Sequence, residues 1–152
     1  MTSIFKSATI HEIFGGVTVK YLLSLCLPIV LIGYELKVEV QNISSSKGQI
    51  SIGLYKDKKN FADTKKFYRG VILPASAENS HHTFTNIPQG KYAIALFHDT
   101  NSNGRLDKNF LGIPKEGYGF SNNPQRGFSK PSFEQCSFRL QGNQTKQINA
   151  RY

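Results

Sequence analysis

Cysteine is scarce in this chain. Only Cys26 and Cys136 occur in 152 residues. Cys26 lies inside an N-terminal apolar run, so the rest of the chain has no pair with which to build a disulfide framework. Cys136 reads as a small buried hydrophobe in a strand. Acidic residues are few as well: 10 Asp plus Glu stand against 19 Lys plus Arg, for a formal net charge of +9. Much of the excess sits in Lys56-Asp57-Lys58-Lys59 and Lys65-Lys66-Phe67-Tyr68-Arg69. Such clusters can meet phosphate or anionic lipid. No nucleic-acid motif accompanies them, so they are expected to be solvated loops with no nucleic-acid partner. Catalytic signatures are missing too: there is no nucleophile elbow around Ser or Cys, no H-E-x-x-H and no Gly-rich phosphate loop. The chain is therefore expected to have no catalysis of its own.

A long hydrophobic run is also lacking. The longest, Tyr21 to Gly33 (YLLSLCLPIVLIG), has about a dozen apolar residues, which suits a signal-peptide h-region better than a membrane span. Lys6 and Lys20 precede it, with Glu12 as the single acid. Gly33 is a candidate for the last position of a cleavage site. Leu23-Ser24-Leu25-Cys26 makes a poor lipoprotein box, because Leu25 is large for the position before the cysteine. Residues 1–33 are thus expected to be an apolar helix serving as signal peptide or N-terminal membrane segment. The protein would be exported, periplasmic or secreted, and would touch membrane only through this segment if it stays uncleaved. Residues 34–152 then form one domain, large enough to bury a core without staples.

What is present beyond residue 34 is β-strand pattern. Leu36, Val38 and Val40 alternate, as do Ile50, Ile52 and Leu54. The turn residues Ser44 to Gly48 between them predict a hairpin. Residues 56–69 read as a polar excursion anchored by Phe61, Phe67 and Tyr68, and residues 70–74 as a short strand. Residues 82–87 alternate around Phe84, and Pro88-Gln89-Gly90 is expected to turn that strand into residues 91–98. Tyr92 to Phe97 is apolar at both parities, which predicts a central strand covered on both faces. Residues 132–140 and 144–152 read as a closing hairpin across Gln141-Gly142-Asn143. The expected fold is an all-β antiparallel sandwich of about seven strands, with one long loop over residues 99–131.

That loop begins with the most informative stretch, Asp99-Thr-Asn101-Ser-Asn103-Gly104-Arg105-Leu106-Asp107. Oxygen-bearing side chains fall at steps one, three, five and nine, with Gly at step six, as in the front half of an EF-hand calcium loop. The closing acid of step twelve is absent, since Phe110 stands there. The candidate ligands are the side chains of Asp99, Asn101, Asn103 and Asp107 and the Arg105 carbonyl. Glu116 would fold back in place of the missing acid. So few carboxylates beside Arg105, Lys108 and Lys115 predict weak calcium affinity, on the order of 0.1–1 mM. The competing reading is a turn ordered without metal, because Asn and Asp bond their own backbone and tolerate left-handed conformations.

Two other readings stay open. Tyr118, Phe120 and Phe128 in the Gly-rich part of the loop, residues 112–128, either pack on the sheet or line a site for a small molecule or carbohydrate. If Pro88 to Gly90 makes a tight turn, His82 falls near His98, and the two histidines become candidates for a metal-dependent enzyme site.

The run His98-Asp99-x-Asn101-x-Asn103-Gly104-x-Leu106-Asp107-x-Asn109, followed by Leu111-Gly-Ile-Pro-Lys-Glu-Gly-Tyr-Gly-Phe-Ser-Asn-Asn123, resembles the signature of domain of unknown function family 2141. Pro88-x-Gly90-x-Tyr92-Ala93 and Pro131-x-Phe133 resemble it as well, so the likeness covers about residues 35–152. The resemblance implies an exported bacterial domain with a transthyretin-like or prealbumin-like sandwich. It assigns no activity and no catalytic residues. The combined expectation is an exported binding or structural module with a calcium-type loop, whose partner is an envelope protein or a small ligand.

Overall fold

The computed structural model describes residues 33–77, 80–125, 127 and 129–152. Apart from Gly33, the expected N-terminal segment lies outside these residues, as does Phe128. The alternating segments fold as strands: β1 (Gly33–Gln41), β2 (Gln49–Tyr55), β3 (Arg69–Pro74), β4 (Ser80–Pro88), β5 (Gly90–Asp99), β6 (Tyr118–Phe120), β7 (Phe138–Leu140) and β8 (Gln144–Asn149), with one short helix, α1 (Phe133–Cys136), before β7. Among the described residues the regular structure is mostly β-sheet, with almost no helix. It forms a three-stranded sheet in the order β4-β1-β8 and a five-stranded sheet in the order β3-β2-β5-β6, with β7 pairing β5 beside that path.

The inward parity of each strand makes one core between the sheets. Leu36 and Val38 of β1 meet Ile50, Ile52 and Leu54 of β2, Ile94 and Leu96 of β5, Leu140 of β7 and Ile148 of β8, all at most 3% exposed. Each such aliphatic side chain contributes about 1.5–3 kcal/mol relative to leaving it in water. β5 is central and covered on both faces. Its outward Ala93 lies with Tyr55, Phe61, Phe133 and Cys136 in a second, smaller cluster. The helix that delivers Phe133 and Cys136 is held by a capping box between Ser132 and Gln135.

Four expectations need correction. The described residues hold eight strands, close to the expected number, but their two sheets are not wholly antiparallel, because β1 and β8 run parallel from Leu36↔Gln144 to Gln41↔Asn149. None of the three expected hairpins forms. β1 pairs β4 and β8 while β2 pairs β3 and β5. Likewise β4 and β5, and β7 and β8, lie in different sheets. The reason at Gln89 is length. Pro88 ends β4 and Gly90 begins β5, so one residue separates them, whereas a hairpin loop needs at least two. The chain turns a corner from sheet to sheet instead, and Tyr92 locks it by donating its hydroxyl to the Pro88 carbonyl at 2.8 Å. Between β1 and β2 the connection drops Ile43 into the core, which a surface hairpin turn would not do. Among the expected anchors of residues 56–69, Phe61 is buried, but Phe67 and Tyr68 are exposed. Finally, the segment expected as one long loop, residues 99–131, contains the strand β6 at the edge of the larger sheet.

Candidate functional site

β5 delivers Asp99 to the base of the long loop, opposite Gln49 of β2. Asp99 has no exposed surface. Its Oδ1 accepts the Asn103 N–H at 3.0 Å, and its Oδ2 accepts the Gly104 N–H and the Gln49 side-chain amide, each at 2.8 Å. Gly104 takes φ +77°, the left-handed conformation that the sharp turn requires. Glu116 is also buried and folds back onto the same turn. Its Oε1 accepts both the N–H and the hydroxyl of Thr100 at 2.8 Å, and its Oε2 accepts the Asp107 N–H at 2.9 Å. A buried carboxylate without donors would be costly. Here the donors are the turn's own amides, and each such charge-assisted bond contributes about 1.5–3 kcal/mol.

The rest of the predicted ligand set lies on the exposed side of the turn. The Asn101 and Asn103 carboxamides both donate to the Asp107 carboxylate, at 2.7 Å and 3.1 Å. The bonds from Asn103 and then Asn101 hold the Asp107 carboxyl below the usual carboxylate range. The oxygen of Asn103 accepts the Arg105 N–H at 2.9 Å. The structure thus brings Asn101, Asn103 and Asp107 together and draws Asp99 and Glu116 to backbone donors. Among the described residues, no three His, Cys, Asp or Glu side chains are grouped so that they could hold a metal ion.

The other half of the loop walls a groove on the outer face of the five-stranded sheet. The groove encloses about 760 Å³, within the range of small-molecule sites. Its floor is made by small outward residues of two paired strands: Ser51 and Gly53 of β2, with Gly53 opposite Ala95 of β5. Aromatic walls come from Tyr55, Phe67, Phe97, Tyr118 and Phe120. The rim is basic, with Arg105, Lys108, Lys130 and Arg151 against a single acid, Asp63. Two of these cations are built in. Lys130 donates to the Phe61 carbonyl at 2.9 Å, and Arg151 donates to the Pro124 and Asn123 carbonyls at 2.7 Å and 3.1 Å. Of the aromatics singled out in the sequence, Tyr118 and Phe120 are half-buried and line the groove.

His82 and His98 do not meet. His82 lies on β4 in the three-stranded sheet, with its ring edge-to-face with Phe84 at 4.6 Å, and burial followed by the neighbouring His81 pushes its pKa down. His98 lies on β5 in the other sheet and is fully buried. Its Nε2 is 2.7 Å from the Lys47 carbonyl and its Nδ1 is 2.8 Å from the Tyr152 hydroxyl. A carbonyl only accepts, so Nε2 carries a proton. His98 ties the turn before β2 to the C-terminal residue. The hairpin that would have joined the two histidine strands does not form; the corner at Gln89 separates them. Burial also raises the Cys136 thiol to about 11, which leaves it protonated and unreactive near neutral pH.

Sequence reasoning missed three parts of this architecture. Ser121 is a buried clamp that accepts the Ile94 N–H at 2.8 Å and holds β6 against β5. Tyr152 is the partner of His98. The groove floor was signalled only by small residues at the outward parity of β2 and β5. No curated protein and no solved structure gives a significant match to the chain. Residues 38–149, spanning both sheets, the Asp99 loop and every strand that floors the groove, match the family described as uncharacterized protein conserved in bacteria; this chain belongs to that family, DUF2141.

Proposed function

We propose that this is an exported, non-catalytic binding module of transthyretin-like architecture, whose outer-face groove holds an amphipathic small molecule carrying an anionic group. The observation that carries this reading is the groove's composition, a small-residue floor with aromatic walls under a rim of four cations and one acid. Aromatic and apolar walls take the ligand's body by area burial, and the rim favours negative charge. The aromatic 8-anilinonaphthalene-1-sulfonate is a suitable probe. It is expected to bind the folded protein, and Ser51→Trp, which puts an indole on the floor, is expected to weaken it at least about tenfold, or 1.4 kcal/mol, without lowering the melting temperature. Unchanged affinity in a folded Ser51→Trp protein would place the probe elsewhere and sink this reading.

A second reading concerns the Asp99 loop. The convergence of Asn101, Asn103 and Asp107 favours a weak calcium site in which both carboxamides turn their oxygens toward the ion. Turning them sacrifices the bonds from the Asn103 N–H to Asn101 and from the Arg105 N–H to Asn103, and Asp107 is the one carboxylate beside the two carboxamides. Affinity is therefore expected at the weak end for extracellular modules, about 1 mM. In metal-free protein, calcium at a hundredfold excess over its dissociation constant should stabilise the fold by about 2.7 kcal/mol. A melting temperature unmoved by such calcium leaves the loop as a turn held by its own carboxylates. Phe110→Glu is expected to tighten calcium if the chain follows EF-hand geometry to step twelve. Phe110 is 95% exposed, so this change costs no packing.

A further inference from the structure

The apex of the long loop is the most apolar exposed point among the described residues. Phe110 is 95% exposed, Leu111 67% and Ile113 49%. Solvent-facing apolar side chains on a loop tip are common singly, but three within four residues form a patch. Two further observations distinguish this tip. The first is its backbone. Asn109 accepts the Leu111 and Ile113 N–H groups on its side-chain oxygen, at 2.9 Å and 3.0 Å, and the Gly112 N–H on its carbonyl, also at 2.9 Å. Asn109 in turn donates its own N–H to the Ile113 carbonyl at 2.8 Å. Three successive amides at the apex thus have internal partners. In water that is optional. At a membrane interface it lowers the cost of burying the tip, since fewer backbone groups there are left unmatched.

The second observation is charge. Lys108 and Lys115 bracket the tip, and the chain closes beneath it through the Lys108↔Pro114 bridge and the bond from the Lys115 N–H to the Asp107 carbonyl. Both lysines are exposed, and neither forms a salt bridge among the described residues. An apolar apex above a collar of two cations matches the layering of an anionic bilayer, with hydrocarbon below and phosphate headgroups at its boundary.

We propose that the Asn109–Ile113 tip docks on anionic lipid bilayers, inserting Phe110 and Leu111 while Lys108 and Lys115 contact the headgroups. This contact is separate from any N-terminal membrane segment; it shares Lys108, Leu111 and Ile113 with the lining of the outer-face groove, but it rests on the exposure of Phe110 and Leu111 and not on the groove being occupied.

The chain contains no tryptophan, so Phe110→Trp in the full-length protein supplies a sole indole reporter at the apex. Ile72→Trp, on the edge strand β3 and 60% exposed, is the control. Each protein is mixed with vesicles of brominated phosphatidylcholine, with or without phosphatidylglycerol. The indole emission of the Phe110→Trp protein is expected to be quenched in the phosphatidylglycerol vesicles and not in the neutral ones. That of the Ile72→Trp protein is expected to be quenched in neither. Lys108→Gln and Lys115→Gln should each lower the ratio of inserted to free tip about fivefold. Absence of quenching at position 110 overturns the proposal. So does equal quenching in neutral vesicles or at position 72, which would mark partition driven by the N-terminal apolar run. A concentration-dependent blue shift at position 110 without vesicles also overturns it, because the tip would then be covered by a second copy of the chain.

Discussion

Asp99→Ala is expected to destabilise the protein by about 3–4 kcal/mol, which lowers the melting temperature on the order of 10–15 °C. The side chain is fully buried and accepts three hydrogen bonds, from the Asn103 and Gly104 N–H groups and from Gln49. Alanine leaves these donors facing a small void. Each bond to a charged acceptor is worth about 1.5–3 kcal/mol, and partial rescue by water at the exposed side of the turn keeps the total below their sum. Asp99→Asn, which keeps one acceptor oxygen and adds a misplaced donor, should fall between. Thermal unfolding followed by circular dichroism measures both. A loss under about 1 kcal/mol for Asp99→Ala would mean that the loop does not rest on this carboxylate. The result bears on the groove as well, since the same loop carries Arg105, Lys108 and Ile113 to its wall.

Gly48→Ala is expected to be comparably damaging, at about 3 kcal/mol or more, while Gly104→Ala costs only about 1 kcal/mol. Both glycines have φ +77°, so the conformational penalty of adding a Cβ is the same. Their surroundings differ. A Cβ at Gly48 would lie 2.2 Å from the Asp99 carbonyl oxygen and 2.7 Å from the Thr100 Cα, whereas at Gly104 nothing lies within 4 Å. Backbone atoms cannot rotate away as a side chain can, so either the turn before β2 or the base of the loop must shift. That shift would also strain the bond between His98 and the Lys47 carbonyl. Denaturant unfolding of the two variants side by side separates packing from conformation. Equal losses would show that the close approach of Gly48 to Asp99 is not maintained in solution.

Much of the strand inventory was legible in the sequence, because its cause is local. Alternation at Leu36, Val38 and Val40, or at Ile50, Ile52 and Leu54, reports which side of a strand meets a core whatever its partner is. Apolar residues at both parities of β5 reported two covered faces in the same way. The Asx spacing after His98 likewise announced a tight turn around Gly104, and the long signature through Asn123 pointed to the family. Strand partners were not legible. A turn-rich gap looks the same whether it closes a hairpin or rounds a corner, and the choice fell to geometry: a one-residue link at Gln89 too short for a hairpin, and Ile43 drawn into the inter-sheet space. That choice separated His82 from His98. Spacing nominated Asp99, and its place in the same loop nominated Glu116, as ligands of a cation; their burial and the amides of Thr100, Asn103, Gly104 and Asp107 that they accept became visible only in the fold. The groove was the least visible feature, because its parts are distant in sequence. Ser51, Ala95, Tyr118, Lys130 and Arg151 become neighbours only when β2, β5 and β6 align and the C-terminus crosses to pair Arg151 with Tyr118. Local periodicity determined which residues were buried; the packing of two sheets on one core decided which of them met.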